Sequence, residues 1–185
     1  MASKREPARS MRMRKIALVI CESETEVGYI NLLKTWYKSP IRIVSHIEGT
    51  KITPSLVEKR TKELKISHLD KVHTFLMYDM DVQAINEKLL KCKAEMLLSN
   101  PCFEIWLLLH AKDQKAAIDT DAIIKELKKC APVWKNYSKS AFTDTQKTFL
   151  NNNTDVAVAR AKNLNEFQNP STSIYKLIEL LKTDK

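Results

Sequence analysis

Residues 15–21, KIALVIC, are followed at once by ESETE, residues 22–26. The first run is too short for a membrane span and too uniformly apolar for a strand with one wet face. Runs of this length and composition suit a strand covered on both faces, as in a parallel sheet whose crossover connections lay helices on either side. Three carboxylates within five residues of its end then mark the point where the chain leaves the core. In an open parallel sheet, ligands bind just beyond the carboxyl ends of the strands. This junction therefore sets the frame into which the rest of the chain must fit.

The following segments alternate as that frame requires. Residues from Thr25 to Tyr37 have helical apolar spacing through Val27, Ile30, Leu33 and Tyr37. Gly28 lies inside that helix, at a cost of about 1 kcal/mol against alanine, and is expected to permit close approach to the sheet. Ile41–Ile47 reads as a second strand, Ser55–Lys65 as a helix begun at Pro54, and Val72–Tyr78 as a third strand ending in Asp79-Met80-Asp81. Gln83–Lys93 is predicted helical, Glu95–Leu98 a short fourth strand, and Cys102–His110 a strongly apolar helix. Beyond that point only helices are predicted: Asp121–Lys129, Asp155–Phe167 and Ile174–Lys182. Asn151-Asn152-Asn153 and Asn169–Thr172 read as joints or caps. The expected architecture is α/β, a parallel sheet of about four strands with helices on both faces and a helical C-terminal part. The predicted boundaries are a basic arm at 1–14, an α/β core at 15–112 and the helical part at 113–185.

Composition narrows the function. The chain has 185 residues and only two glycines, Gly28 and Gly49, so neither GxGxxG nor GxxxxGK[ST] is present. The four cysteines, Cys21, Cys92, Cys102 and Cys130, lack CxxC or zinc-finger spacing and read as free thiols. No apolar run approaches the roughly 20 residues of a membrane span, and the N-terminus lacks the apolar stretch of about 7–15 residues of a secretory signal. The expected location is the cytoplasm, without membrane contact. Net charge is +9, and the first fifteen residues hold six cations against Glu6 alone. Such an arm, with Arg9, Arg12 and Arg14, can neutralise phosphates; a solvated tail has the same composition.

If the first and third strands are parallel, Glu22, Asp79 and Asp81 reach one rim. Glu26, four residues after Glu22, shares its helix face, and Asp79 and Asp81 share a side if the backbone stays extended. Carboxylates gathered in this way repel unless a cation lies among them. Mg²⁺ takes oxygen ligands and keeps waters and substrate phosphate, and two ions about 3.5–4 Å apart serve phosphodiester cleavage. An acidic rim and an anionic partner are compatible through the metal. Against this stand commoner reasons for the same residues: acids early in a helix suit its dipole, and aspartate at a strand end suits a turn. Ser99 and Asn100 read as an N-cap or as part of a phosphate site at a helix start. His110 reads as a packed or capping residue, or as a phosphate contact.

The segments CESETEVGYI, YDMDV, LLSNPCFEIWLLLH and NPSTSIYKLIELL, in that order, resemble the RloB family of bacterial phage-defence proteins. The likeness covers essentially the whole chain, and SNPCFE followed by W and LLLH is its most specific part. The resemblance implies a Toprim-like domain and metal-dependent nuclease chemistry similar to that of the OLD nucleases, with two Mg²⁺ or Mn²⁺ ions. By motif it implies Glu22, Glu26, Asp79 and Asp81 as metal-binding acids, with Glu22, Asp79 and Asp81 catalytic and Glu104 a further ligand or supporting acid. It places Asp79 where it can bridge both ions. It also implies a setting near restriction or abortive-infection genes and a partner ATPase. Two residues depart from the pattern: Ser23 stands where the family usually has glycine, and Met80 where a basic residue is common. Two functions follow. One is a metal-dependent nuclease acting on DNA or RNA in antiviral defence, able to form oligomers. The other is a catalytically degenerate nucleic-acid-binding or effector module working with the ATPase.

Overall fold

The structure is a computed structural model and describes residues 14–139 and 141–183. Arg9 and Arg12 of the basic arm lie outside the described residues. A five-stranded sheet forms the centre, in the order β2-β1-β3-β4-β5. β1 (Lys15–Cys21) lies between β2 (Arg42–Ile47) and β3 (Lys71–Asp79), and β4 (Glu95–Asn100) follows; these four are parallel. β5 (Ser171–Thr172) runs antiparallel to β4.

The uniform apolarity of β1 follows from its central place. Ala17, Val19 and Cys21 face one core, and Ile16, Leu18 and Ile20 face the other, with all six buried. β3 divides in the same way, Phe75 and Met77 to one side, Leu76 and Tyr78 to the other. This is the period-two alternation of a strand covered on both faces. The smaller core is closed by α2 (Pro54–Glu63) and α3 (Gln83–Leu89) through Val57, Ile85 and Leu89. The larger holds α1 (Glu24–Tyr37), α4 (Glu104–Ala111), α5 (Thr120–Cys130), α6 (Asp144–Lys162) and α7 (Tyr175–Thr183). α4 is apolar around its circumference because it is enclosed on every side: Ile105 through Leu109 are fully buried. The C-terminal helices thus share one core with the sheet.

Three expectations require correction. The sheet has five strands, since Ser171-Thr172 pairs with β4 rather than capping α7. Ser173 completes that junction: its N–H donates to the Leu98 carbonyl at 3.0 Å, and its Oγ accepts the Leu98 N–H at 2.9 Å. The three asparagines at 151–153 lie inside α6, which starts at the cap Thr143. There the Gln146 N–H donates to Thr143 Oγ1, and Gln146 Oε1 accepts the Thr143 N–H. Gly28 does not face the sheet; a β-carbon there would meet the Phe142 ring at 3.9 Å, an ordinary contact. All four cysteines are free thiols, and Cys21, Cys92 and Cys102 are buried. No helix among the described residues is long and apolar enough to cross a membrane.

Candidate functional site

Parallel pairing sets Cys21 opposite Met77, so the residues just beyond them meet at the carboxyl rim. The Glu22 N–H donates to the Met77 carbonyl at 3.1 Å, and the Asp79 N–H donates to Glu22 Oε2 at 3.0 Å. The Asp79 carboxylate turns toward the start of α4, where Oδ1 accepts the Phe103 N–H at 2.7 Å. Glu26, in the first turn of α1, folds back onto the cap residue: Oε2 accepts the Ser23 N–H at 2.8 Å and also the Ser23 hydroxyl. Glu104 opens α4 and is 1% exposed. Its Oε1 accepts the Tyr137 hydroxyl at 3.0 Å and lies 3.4 Å from Lys139 Nζ, while Oε2 is enclosed without a partner.

These four acids feel one another. Burial, then Glu26, Glu22 and Glu104, push the Asp79 pKa up to about 8 against the opposing Phe103 N–H. Burial raises Glu22, helped by Glu26 and Asp81 and opposed by the Asp79 N–H and Lys139. Burial also raises Glu26, against the bonds from Ser23. Asp79 is thus the member on which the other three acids act together.

Other candidates fall elsewhere. The backbone bends at Met80 and Asp81, so the extended geometry that would align Asp81 with Asp79 is lost and Asp81 is exposed; it acts on the cluster through Glu22. Ser99 is buried with its Oγ 3.0 Å from Thr172 Oγ1, and the Asn100 side chain donates to the Phe167 carbonyl at 2.9 Å. Neither caps α4, whose cap residue is Phe103. His110 follows its packed reading, and the phosphate contact requires correction. It is 2% exposed, and its Nδ1 donates to the Trp106 carbonyl at 2.8 Å. Burial lowers its pKa to about 4, so it offers a nucleic acid neither surface nor charge. Arg14 pairs with Asp70, its Nη2 2.9 Å from Oδ2, before the first strand and hence at the opposite end of the sheet.

Sequence reasoning missed Tyr137 and Lys139, which lie in the link between α5 and α6. Nothing in their spacing points to Glu104, and Lys139 is one of 31 basic residues. Only the fold over α4 brings them to the rim.

An all-oxygen donor set suits a hard divalent cation. Glu104 Oε2, buried and unpaired, is a vacant acceptor of the kind such an ion satisfies. Among the described residues, no three carboxylate, imidazole or thiol side chains stand close enough together to hold an ion as they are. Each of the four carboxylates instead accepts from a protein donor. The residues fit the ion by chemistry and charge, and some of these bonds must open to admit it.

The family model described as RloB-like protein matches residues 17–181. No curated protein and no solved structure matches the chain.

Proposed function

The chain belongs to the RloB-like family, and from that premise we propose that the rim formed by Glu22, Glu26, Asp79 and Glu104 is the centre of a Mg²⁺- or Mn²⁺-dependent nuclease. The observation that carries the reading is the position of Asp79. Its carboxylate is mostly buried among acids from α1, α4 and the end of β1, and its pKa is raised to about 8 by that burial and then by those acids. A folded protein has no structural need for such a group, and a cation from solution relieves it.

Asp79, Glu22 and the free Glu104 Oε2 are the donors best placed to hold the ion, with Glu26 behind them. A bound divalent cation supplies activation of a water and neutralisation of charge developing on a phosphodiester oxygen. The protein's own groups orient the acids: Phe103 N–H aims Asp79, Asp79 N–H aims Glu22, and Tyr137 holds Glu104 by one oxygen. Asp81, exposed beyond the bend, is the acid of this group left free to meet substrate or water. The setting implied by the resemblance is antiviral defence, with DNA or RNA as substrate and a partner ATPase.

The deciding experiment is cleavage of plasmid DNA, single-stranded DNA and total RNA by the full chain with Mn²⁺ or Mg²⁺, wild type against Asp79→Ala. Loss of metal-dependent cleavage by about a thousandfold is expected, with Glu24→Ala, altered at an exposed acid outside the cluster, unaffected. Equal cleavage by Asp79→Ala removes the proposal. A second reading draws on the protein donors that already occupy the rim acids, above all Ser23 on Glu26. It makes the chain a non-catalytic nucleic-acid-binding module, whose binding is weakened by salt and indifferent to EDTA.

A further inference from the structure

Glu104 is a nearly fully buried acid, yet the one cation paired with it among the described residues comes from outside the core. Lys139 has a side chain 53% exposed and reaches inward from the link between α5 and α6, stopping 3.4 Å from Glu104 Oε1. That separation is longer than a tight charge-assisted hydrogen bond of about 2.7–2.9 Å. Tyr137, from the same link, holds the same oxygen more closely, at 3.0 Å. The Glu104 carboxylate therefore stays oriented whether or not Lys139 is present. The influence of Lys139 also extends past Glu104. Burial opposes its charge, but Glu104, Cys102 and Asp79 outweigh that and leave its pKa raised. It acts in turn on Glu22.

We propose that Lys139 is the resident counter-ion of the acidic rim: its ammonium balances Glu104 while no metal is bound, and it yields when a divalent cation enters. The proposal rests on the metal reading of the rim. Lysine suits the task, since a compact charge on a flexible, half-exposed stem can swing away, whereas an arginine fork is built to stay bidentate. A divalent ion at Glu104 Oε2 and an ammonium at Oε1 repel each other. Docking of Lys139 and binding of metal therefore oppose each other through one coupling free energy, which acts equally in both directions. The consequence is a metal affinity set below what the carboxylates alone would give, and a Glu104 whose buried charge is balanced before the metal arrives.

The test uses the full chain with Lys139→Met, which keeps an unbranched stem and removes the charge, and Lys139→Arg, which keeps the charge. Mn²⁺ is titrated by calorimetry, and unfolding temperature is read in EDTA and in saturating Mn²⁺. Lys139→Met is expected to bind Mn²⁺ about five- to tenfold more tightly, and Lys139→Arg, whose fork stays on Glu104, less tightly than wild type. In EDTA, Lys139→Met should unfold at a lower temperature than wild type, and saturating Mn²⁺ should close that gap. Unchanged or weaker Mn²⁺ binding by Lys139→Met overturns the displacement alone, provided wild type binds and Asp79→Ala does not. An unchanged unfolding temperature in EDTA overturns the counter-ion role. Failure of wild type and Lys139→Met alike to bind Mn²⁺ overturns the metal reading and the displacement with it.

Discussion

Two aspartates bracket β3, Asp70 just before its first residue and Asp79 at its last, and their surroundings are opposite. Asp70 accepts the Arg14 guanidinium on both oxygens, at 3.2 and 2.9 Å, and the Ser67 N–H at 2.9 Å. The Arg14 side chain, then the Ser67 N–H, hold its pKa well below the usual carboxylate range. Asp79 has one backbone N–H from Phe103 and otherwise burial and three acids, and its pKa rises to about 8. Between them run Phe75, Leu76, Met77 and Tyr78, each no more than 1% exposed. The packed strand is what holds Asp79 where its charge is unwelcome. An acid that fastens a strand takes a cation from its own chain. Among the described residues Glu104 is paired with the loosely held Lys139 and Asp79 with no cation, which is the contrast expected if the rim, as proposed, takes its cation from solution.

The largest expected effect follows from the raised acid. Asp79 has a folded pKa of about 8, against about 3.9 for an unfolded aspartate. Between those values the folded chain holds the proton and the unfolded chain does not. Stability from this group therefore falls as pH rises from about 4 to about 8. Asp79→Asn removes that loss while retaining an acceptor for the Phe103 N–H. In EDTA the variant should unfold about 5 °C higher than wild type at pH 8, with the gap closing near pH 4. A thermal melt series across that range checks it. A gap independent of pH would mean that Asp79 is not held against its charge, and the contrast with Asp70 would fail.

Asp70 provides the mirror image, with a smaller effect. Its depressed pKa contributes stability that is present above about pH 4, the unfolded value, and is lost as pH falls through the folded value. Asp70→Asn should thus lower the unfolding temperature by about 3 °C at pH 7 and by progressively less toward acid. The same melts measure it. A rise at pH 7 would place Asp70 with Asp79 and remove the distinction between joint and site.

How far the sequence foretold this contrast varies by residue. The burial of β1 on both faces was legible because six apolar residues in sequence leave few alternatives. The meeting of Glu22 with Asp79 followed from one further assumption, parallel strands, which the register of β1 and β3 shows to hold. The alignment of Asp81 with Asp79 required the backbone to stay extended beyond β3, and a two-residue bend there moves the Asp81 side chain to another direction. His110 was ambiguous because an imidazole ending an apolar helix looks the same whether the next layer is water or protein; here α4 and α6 pack together, and the Arg160 guanidinium donates to the Leu109 carbonyl at 2.6 Å. β5 was missed because two residues carry no periodicity. Lys139 was missed because no local pattern separates it from the other cations. Local signals located the strands and their ends, while contacts across the chain, such as Lys139 with Glu104, left no trace in spacing.

Glu26 stands between the two aspartates, since its partner is neither a cation nor another acid but the neutral hydroxyl and N–H of Ser23. Ser23 is also the cap residue of α1, so two effects are joined at one position. Substitution separates them. Loss of an N-cap side chain costs about 1 kcal/mol as alanine and only a few tenths as glycine. Loss of the hydroxyl from Glu26 is the same in both. If the cap dominates, Ser23→Ala should unfold about 2–3 °C below wild type in EDTA and Ser23→Gly less than 1 °C below. If the bond to Glu26 dominates, the two variants should fall together. The first result would make Ser23 a helix terminus that happens to touch an acid. Equal falls would make it a donor that holds Glu26 ionised beside Asp79, and would set it, with Lys139, among the groups that keep the empty rim in order.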